Sequence, residues 1–177
     1  MGTDEAAWRS MMPGDVDGVV EIARLAFPDH FEDRACFAER LTLYPRGCFV
    51  LEAERIAGYL IAYPWLSGSA PPLNTTIGTL PAHADLLYLH DLALLPSVRG
   101  QGATPAILKR LIDQAEGDAW PAIALVAVND AAGFWQRMGF DIVANPSMAA
   151  KLASYGADAR YMVRKLQPRD SVARAIP

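Results

Sequence analysis

The stretch PSVRGQGATPAIL, residues 96–108, stands between an apolar run, LLYLHDLALL (86–95), and a helical pattern, AILKRLIDQA (106–115). A strand therefore passes into a helix through Arg99, Gly100, Gln101, Gly102, Ala103 and Thr104. At a glycine no Cβ keeps a ligand away from the backbone. The amides of residues 100–104 fall where a helix begins, so they lack intrahelical partners and sit at the positive end of the helix dipole. Together they form a site suited to a phosphate or pyrophosphate. Arg99 adds a fixed positive charge with several donors. The plainer reading of the same letters is a glycine-rich turn with Arg99 in solvent.

Outward from this junction the chain alternates strand and helix patterns. On the N-terminal side, residues 8–11 read as a first strand. Pro13, Gly14 and Asp15 open a helix with Val16, Val19, Val20, Ala23 and Phe27 on one stripe. A second helix is expected over 32–43, ended by Tyr44, Pro45, Arg46 and Gly47. Residues 48–53 and 56–63 read as a hairpin turning near Glu54 and Arg55. The segment 66–85, LSGSAPPLNTTIGTLPAHAD, reads as a long surface loop of a kind that is often functional. It enters the strand carrying Tyr88, His90 and Asp91, and so is expected to border a substrate site. Beyond the junction come a helix over 105–116, a buried strand over 121–128, a short helix over 130–138, and strands over 140–144 and 160–166. Residues 167–177 read as a mobile tail. The pattern predicts one domain across residues 1–177, with its core over 8–166 and a mixed sheet flanked by helices.

Composition narrows the function. The 177 residues suffice for one core, and 52% hydrophobic with 20% charged residues describes a globular chain. A net charge of −4 argues against a nucleic-acid partner, and slightly favours a cationic small one. The longest apolar run, 122–128, is far below the roughly 18 residues of a membrane span, so no membrane partner is expected. The opening residues show no basic region followed by an apolar one, so no signal peptide is expected. Cys36 and Cys48 read as reduced, buried thiols of a cytoplasmic protein. No Cys/His set has metal spacing. No Ser-His-Asp arrangement or nucleophile elbow is present.

Two nucleotide motifs fail on inspection. No GxxxxGK[ST] string exists. A GxGxxG fingerprint would need glycine where Pro105 stands, and no acidic residue follows about 20 positions on. The string from Arg99 to Thr104 instead resembles the [RQ]xxGx[GA] motif of the GNAT acetyltransferase superfamily. The preceding DLALLPSV (91–98) resembles the strand and proline before that motif. Downstream, VNDAAGFWQRMGF (128–140) resembles a second segment of the same family.

This resemblance implies a GNAT fold of class α/β (α+β). Such a fold has a mixed, mostly antiparallel sheet of about seven strands, about four helices, and a splay between the fourth and fifth strands. It implies acetyl-CoA as cosubstrate and direct transfer of the acetyl group to a primary amine, without an acyl-enzyme. Arg99, Gly100, Gln101, Gly102, Ala103 and Thr104 match the pyrophosphate loop. Leu92, Ala93 and Leu94 match the strand end that pairs with the pantetheine arm, where a backbone amide near Leu94 would polarise the thioester carbonyl. Asn129 matches a residue that bonds this arm; an asparagine there also suits a helix N-cap. Ala132 and Phe134 match the channel lining. Trp135 stands where many relatives carry the tyrosine that protonates the leaving thiolate, and an indole cannot do so. Thr104 stands where glycine or alanine is usual. Pro105, expected at the first helical position, removes one amide from the anion site.

Tyr88, His90 and Asp91 are the candidate groups for deprotonating the amine. Strict alternation puts Tyr88 and His90 on one face and Asp91 on the other. His90 has the better ordinary pKa and is the favoured base, with Tyr88 assisting. It could equally be a structural histidine. Asp91 becomes a base if a bulge shifts its face. Tyr59, Tyr63 and Trp65 read mostly as core, and His30 and His83 as surface residues. The acceptor is a small-molecule or peptide amine, and the chain a monomer or homodimer. Two other readings stay open. One is an N-terminal or lysine acetyltransferase acting on protein. The other is a non-catalytic acyl-CoA-binding regulatory domain.

Overall fold

The period-2 and period-3.6 patterns resolve into seven strands and five α-helices in a computed structural model that describes residues 6–167. In chain order these are β1 (Ala7–Ser10), α1 (Val16–Ala26), α2 (Arg34–Leu43), β2 (Cys48–Glu52), β3 (Ile56–Trp65), β4 (Leu86–Leu94) and α3 (Ala103–Gly117). They continue with β5 (Ala122–Ala127), α4 (Ala132–Arg137), β6 (Asp141–Ile142), α5 (Ala149–Tyr155) and β7 (Arg160–Lys165). The strands form one sheet in the order β1-β2-β3-β4-β5-β7-β6. Among the described strands only β4 and β5 run parallel. The expected tail over 167–177 lies, beyond Gln167, outside the described residues.

Alternation along the strands sends side chains into two cores. On one face, Val50, Tyr59, Ile61, Tyr63 and Tyr88 pack against Val16, Val19, Val20 and Ala23 of α1 and Phe37 and Leu41 of α2. On the other, Leu60, Ala62, Leu87, Leu89 and Ile123 pack against Ile107, Leu108, Leu111 and Ala115 of α3, and against Trp135 of α4. Ile107 and Leu111 are fully buried, so truncating either to alanine costs about 2–5 kcal/mol. The Trp8 indole N–H donates to the Ala103 carbonyl at 2.8 Å, which fixes the first turn of α3 against β1.

Three departures from the sequence reading have local causes. Helix α2 begins at Arg34, which leaves Glu32 in the linker before it. Helix α3 begins at Ala103 with Gly102 as its cap, so Pro105 is the third helical residue, not the first. Its missing amide still belongs to the unpaired first turn, and the helix loses no bond. Helix α5 was not anticipated. Asn145 accepts from the Ser147 amide, Pro146 follows it, and Gly156 ends the helix.

Candidate active site

The pairing of β4 with β5 is confined to Leu87 with Ile123 and Tyr88 with Ala124. Beyond Tyr88 the two strands part, while β5 stays paired with β7 from Ala122 to Ala127. The edge of β4 over residues 89–94 therefore faces a gap, with no strand of the described residues opposite it on that side. The gap is a cleft of about 430 Å³, walled by β4, by Leu125, Val126 and Val128 of the other arm, and by Phe134 and Trp135 of α4.

At one end of the cleft lie Arg99, Gly100 and Thr104. Gly100 and Gly102 have φ of +74° and +80°, a conformation that disfavours side chains. A Cβ at either would point into open space, so both leave a vacant cradle in front of the amides. The first bond of α3 joins the Ala106 amide to the Gly102 carbonyl, so the amides of Ala103 and Thr104 stay outside the helix ladder. The Arg99 Nε donates to the Leu94 carbonyl at 3.0 Å, which holds the guanidinium beside the strand end. The arrangement fits a pyrophosphate, as an anion site made from backbone and one cation.

At the other end the register of β3 and β4 slips. Ile61 faces Asp91 and Ala62 faces Leu89, so His90 is an extra, bulged residue. A bulge resets the alternation. It turns His90 and Asp91 to the same side as Tyr88, against the strict alternation expected from sequence. His90 meets the Tyr63 hydroxyl through Nδ1 at 3.2 Å and Glu32 through Nε2 at 2.6 Å, and its side chain is 4% exposed. The Tyr59 hydroxyl donates to Asp91 Oδ2 at 3.0 Å. Glu32, His90 and Asp91 bring ligand-type atoms within 4.8 Å of one another, a set of residue types that could hold a metal ion. Both His90 nitrogens are committed to hydrogen bonds instead.

Burial and mutual charge set the protonation of this cluster. Burial pushes the Asp91 carboxyl up to about 6, against the pull of His90. Burial opposes charge on His90, yet the Asp91 and Glu32 carboxylates outweigh it and raise its pKa. Burial likewise works against ionised Glu32, but His90 and the Asn74 amide hold it below the usual carboxylate range. Burial drives the Tyr88 hydroxyl well above its usual range, so Tyr88 stays neutral.

Tyr88, His90, Asp91, Leu92, Ala93, Leu94, Arg99, Gly100, Thr104, Phe134 and Trp135 thus line a single cleft. Gln101 is exposed and donates to the Ser97 carbonyl at 3.1 Å. Ala103 packs against Leu51, Ala57 and Val98, below the loop. Asn129 is exposed at φ +53°. It does not cap α4, whose cap is Ala131. Ala132 packs against the α3-side core, and Ala131 is the cleft-lining neighbour. His30, read as a surface residue, lines the cleft instead and stacks on Tyr155 with centroids 6.0 Å apart. The sequence reading passed over Glu32 and Tyr155. Nothing local marks either one, since they meet the site only through the fold.

A model of the Acetyltransferase (GNAT) family matches residues 16–140. The chain belongs to this family. No curated protein matches it. Among solved structures, this GNAT chain resembles the loading GNATL domain of CurA from Lyngbya majuscula, with TM-score 0.73 and 15% identity over 93% of this chain and 100% of that one. It resembles Ard1 from Thermoplasma volcanium, with TM-score 0.69 and 16% identity over 91% and 97%. A third neighbour is N-acetylglutamate synthase from Neisseria gonorrhoeae complexed with coenzyme A and N-acetyl-glutamate. There the TM-score is 0.67 and the identity 18%, over 92% of this chain and 35% of that one. At these identities the likeness speaks for the GNAT fold alone.

Proposed function

We propose that the protein is an acetyl-CoA-dependent N-acetyltransferase that acts on a primary amine by direct attack, without an acyl-enzyme. One observation carries this reading. A glycine cradle for a pyrophosphate and a buried acid-base cluster stand at opposite ends of one cleft, along an unpaired strand edge. Bound there, acetyl-CoA would supply a thioester near Leu94, with its pyrophosphate on the amides of residues 100–104. Much of the rate then comes from holding thioester and amine together.

An amine arrives as an ammonium ion and must lose a proton before it attacks. His90 is poorly placed to take it. Its pKa is raised, and its two nitrogens already bond Tyr63 and Glu32. Asp91 lines the cleft, and at pH 7 its carboxyl, near 6, is ionised but still basic enough to accept the proton. We assign Asp91 as the base. His90 and Glu32 act as positioning residues that set its charge environment. Trp135 packs edge-on against Phe134 and Phe140 and offers no acid for the leaving thiolate. The free, buried thiols of Cys36 and Cys48 suit a cytoplasmic setting.

The test is incubation of the chain with acetyl-CoA and a panel of primary amines, following thiol release and the acetylated product by mass spectrometry. Acetylated amine is the expected result. Tight acetyl-CoA binding without transfer to any acceptor would overturn the catalytic reading and leave an acyl-CoA-binding domain.

A further inference from the structure

The acceptor end of the cleft has a distinctive inventory of charge. Among the described cleft-lining residues, Arg99 is the one lysine or arginine, and it sits at the glycine-loop end. The acceptor end holds the Asp91 carboxylate on its wall and Glu32 immediately behind His90. Arg40 is close, but it does not line the cleft. The residue is 1% exposed, and its guanidinium is engaged by Glu39 Oε2 at 2.6 Å, by the Thr75 carbonyl at 3.0 Å, and by the Tyr63 ring at 5.4 Å. An ammonium entering here meets complementary charge. His90 on the same wall is already bonded to Glu32 and has its pKa raised by the two carboxylates, so Glu32, His90 and Asp91 together keep a net negative charge. Lys151, 5.8 Å from the Tyr155 ring, does not line the cleft, and an entering carboxylate meets Asp91 and is disfavoured.

The remaining walls are apolar. Ala26, Phe27, Leu73, Tyr88 and Tyr155 surround the cluster, and the stacked His30 and Tyr155 rings are inclined by only 22°. Side-chain bonds between distant segments hold the wall in place at the same end. His30 Nε2 meets the Tyr155 carbonyl at 2.8 Å, and the buried Tyr155 hydroxyl donates to the Pro71 carbonyl at 2.9 Å. A polypeptide acceptor would need an open path there.

We propose that the acceptor is a free, small primary amine with an apolar body of aromatic size and no carboxylate. This inference rests on the N-acetyltransferase reading and narrows it.

The test compares matched acceptors on the full chain: 2-phenylethylamine, phenylalanine, phenylalaninamide and a short peptide with a free N-terminus. kcat/KM for 2-phenylethylamine should exceed that for phenylalanine by about 100-fold or more, with phenylalaninamide recovering most of the loss. Leu73→Arg, which adds a cation to the acceptor wall, should narrow the gap between phenylalanine and 2-phenylethylamine at least tenfold. If that variant does not fold, the wild-type ratios decide alone. Phenylalanine or the peptide turned over as well as 2-phenylethylamine overturns the inference and leaves the acetyltransferase standing. Acetyl-CoA binding with no transfer to any of the four acceptors, nor to a wider amine panel, sinks the acetyltransferase reading and this inference with it.

Discussion

Two neighbouring residues decide the chemistry, and the side they share comes from a bulge. Alternation from Tyr88 would put Asp91 on the α3 face of the sheet. The extra residue at His90 instead brings Asp91 opposite Ile61, where the Tyr59 hydroxyl reaches it. No residue type in LLYLHDLAL marks the slip, so the sequence shows a strand with polar residues but not which of them cooperate. Glu32 was illegible for another reason, since its partner His90 lies 58 residues away. If Asp91 is the base, Asp91→Asn should lower kcat by about 10²–10⁴-fold and remove an ionisation near 6 from the acid limb of kcat/KM. The same carboxyl predicts a stability effect of defined sign. Its folded pKa lies above the unfolded value of about 3.9, so the native state holds the proton more tightly, and stability falls as pH rises from about 4 through 6. Asp91→Asn should therefore gain in melting temperature relative to the parent as pH rises from about 4 to about 8. Full activity in Asp91→Asn, with the ionisation lost instead in His90→Gln, would return the role of base to His90.

At the scale of the element, most of the fold was readable where the pattern was long. Helices α1 and α3 showed an apolar stripe over three turns or more, β3 and β5 were continuous apolar runs, and β4 was an apolar run broken by His90 and Asp91. Helix α5 was missed because seven residues rich in alanine give little stripe, although Asn145, Pro146 and Gly156 are a start and a stop in retrospect. The glycine loop was legible because its requirement is local, namely positive φ beside a helix start. Gly102→Val tests that element. The substitution forces a β-branched residue to φ +80° and fills the open cradle with side chain. Acetyl-CoA affinity measured by calorimetry should fall at least about tenfold, a loss of roughly 1.4 kcal/mol or more, in protein whose circular dichroism matches the parent. Unchanged affinity would move the pyrophosphate elsewhere.

At the scale of the molecule, the acceptor end exists only because segments far apart in the chain close on it. The long loop over 66–85 has no helix or strand of its own, yet it is pinned from several sides. Glu39 accepts from the Ile77 and Gly78 amides, Arg40 donates to the Thr75 carbonyl, Glu32 accepts from the Asn74 amide, and the Tyr161 hydroxyl accepts from the Gly68 amide. Tyr155 adds the bond to Pro71 across 84 residues of sequence. Composition showed that this loop is long and polar, but not which helices hold it, because each anchor is a single side chain on another element. Tyr155→Phe removes one anchor and leaves the ring stack with His30 in place. The buried Pro71 carbonyl then loses its partner, at a cost of about 1–3 kcal/mol. The loop carrying Leu73 should loosen, so KM for the amine should rise severalfold and amide exchange over 73–78 should quicken. The glycine loop lies at the opposite end of the cleft, so the dissociation constant for acetyl-CoA should stay within twofold of the parent. A rise in that constant equal to the rise in amine KM would mean that the two ends are not separate sites. An unchanged amine KM beside a loosened loop would mean that residues 66–85 do not border the acceptor.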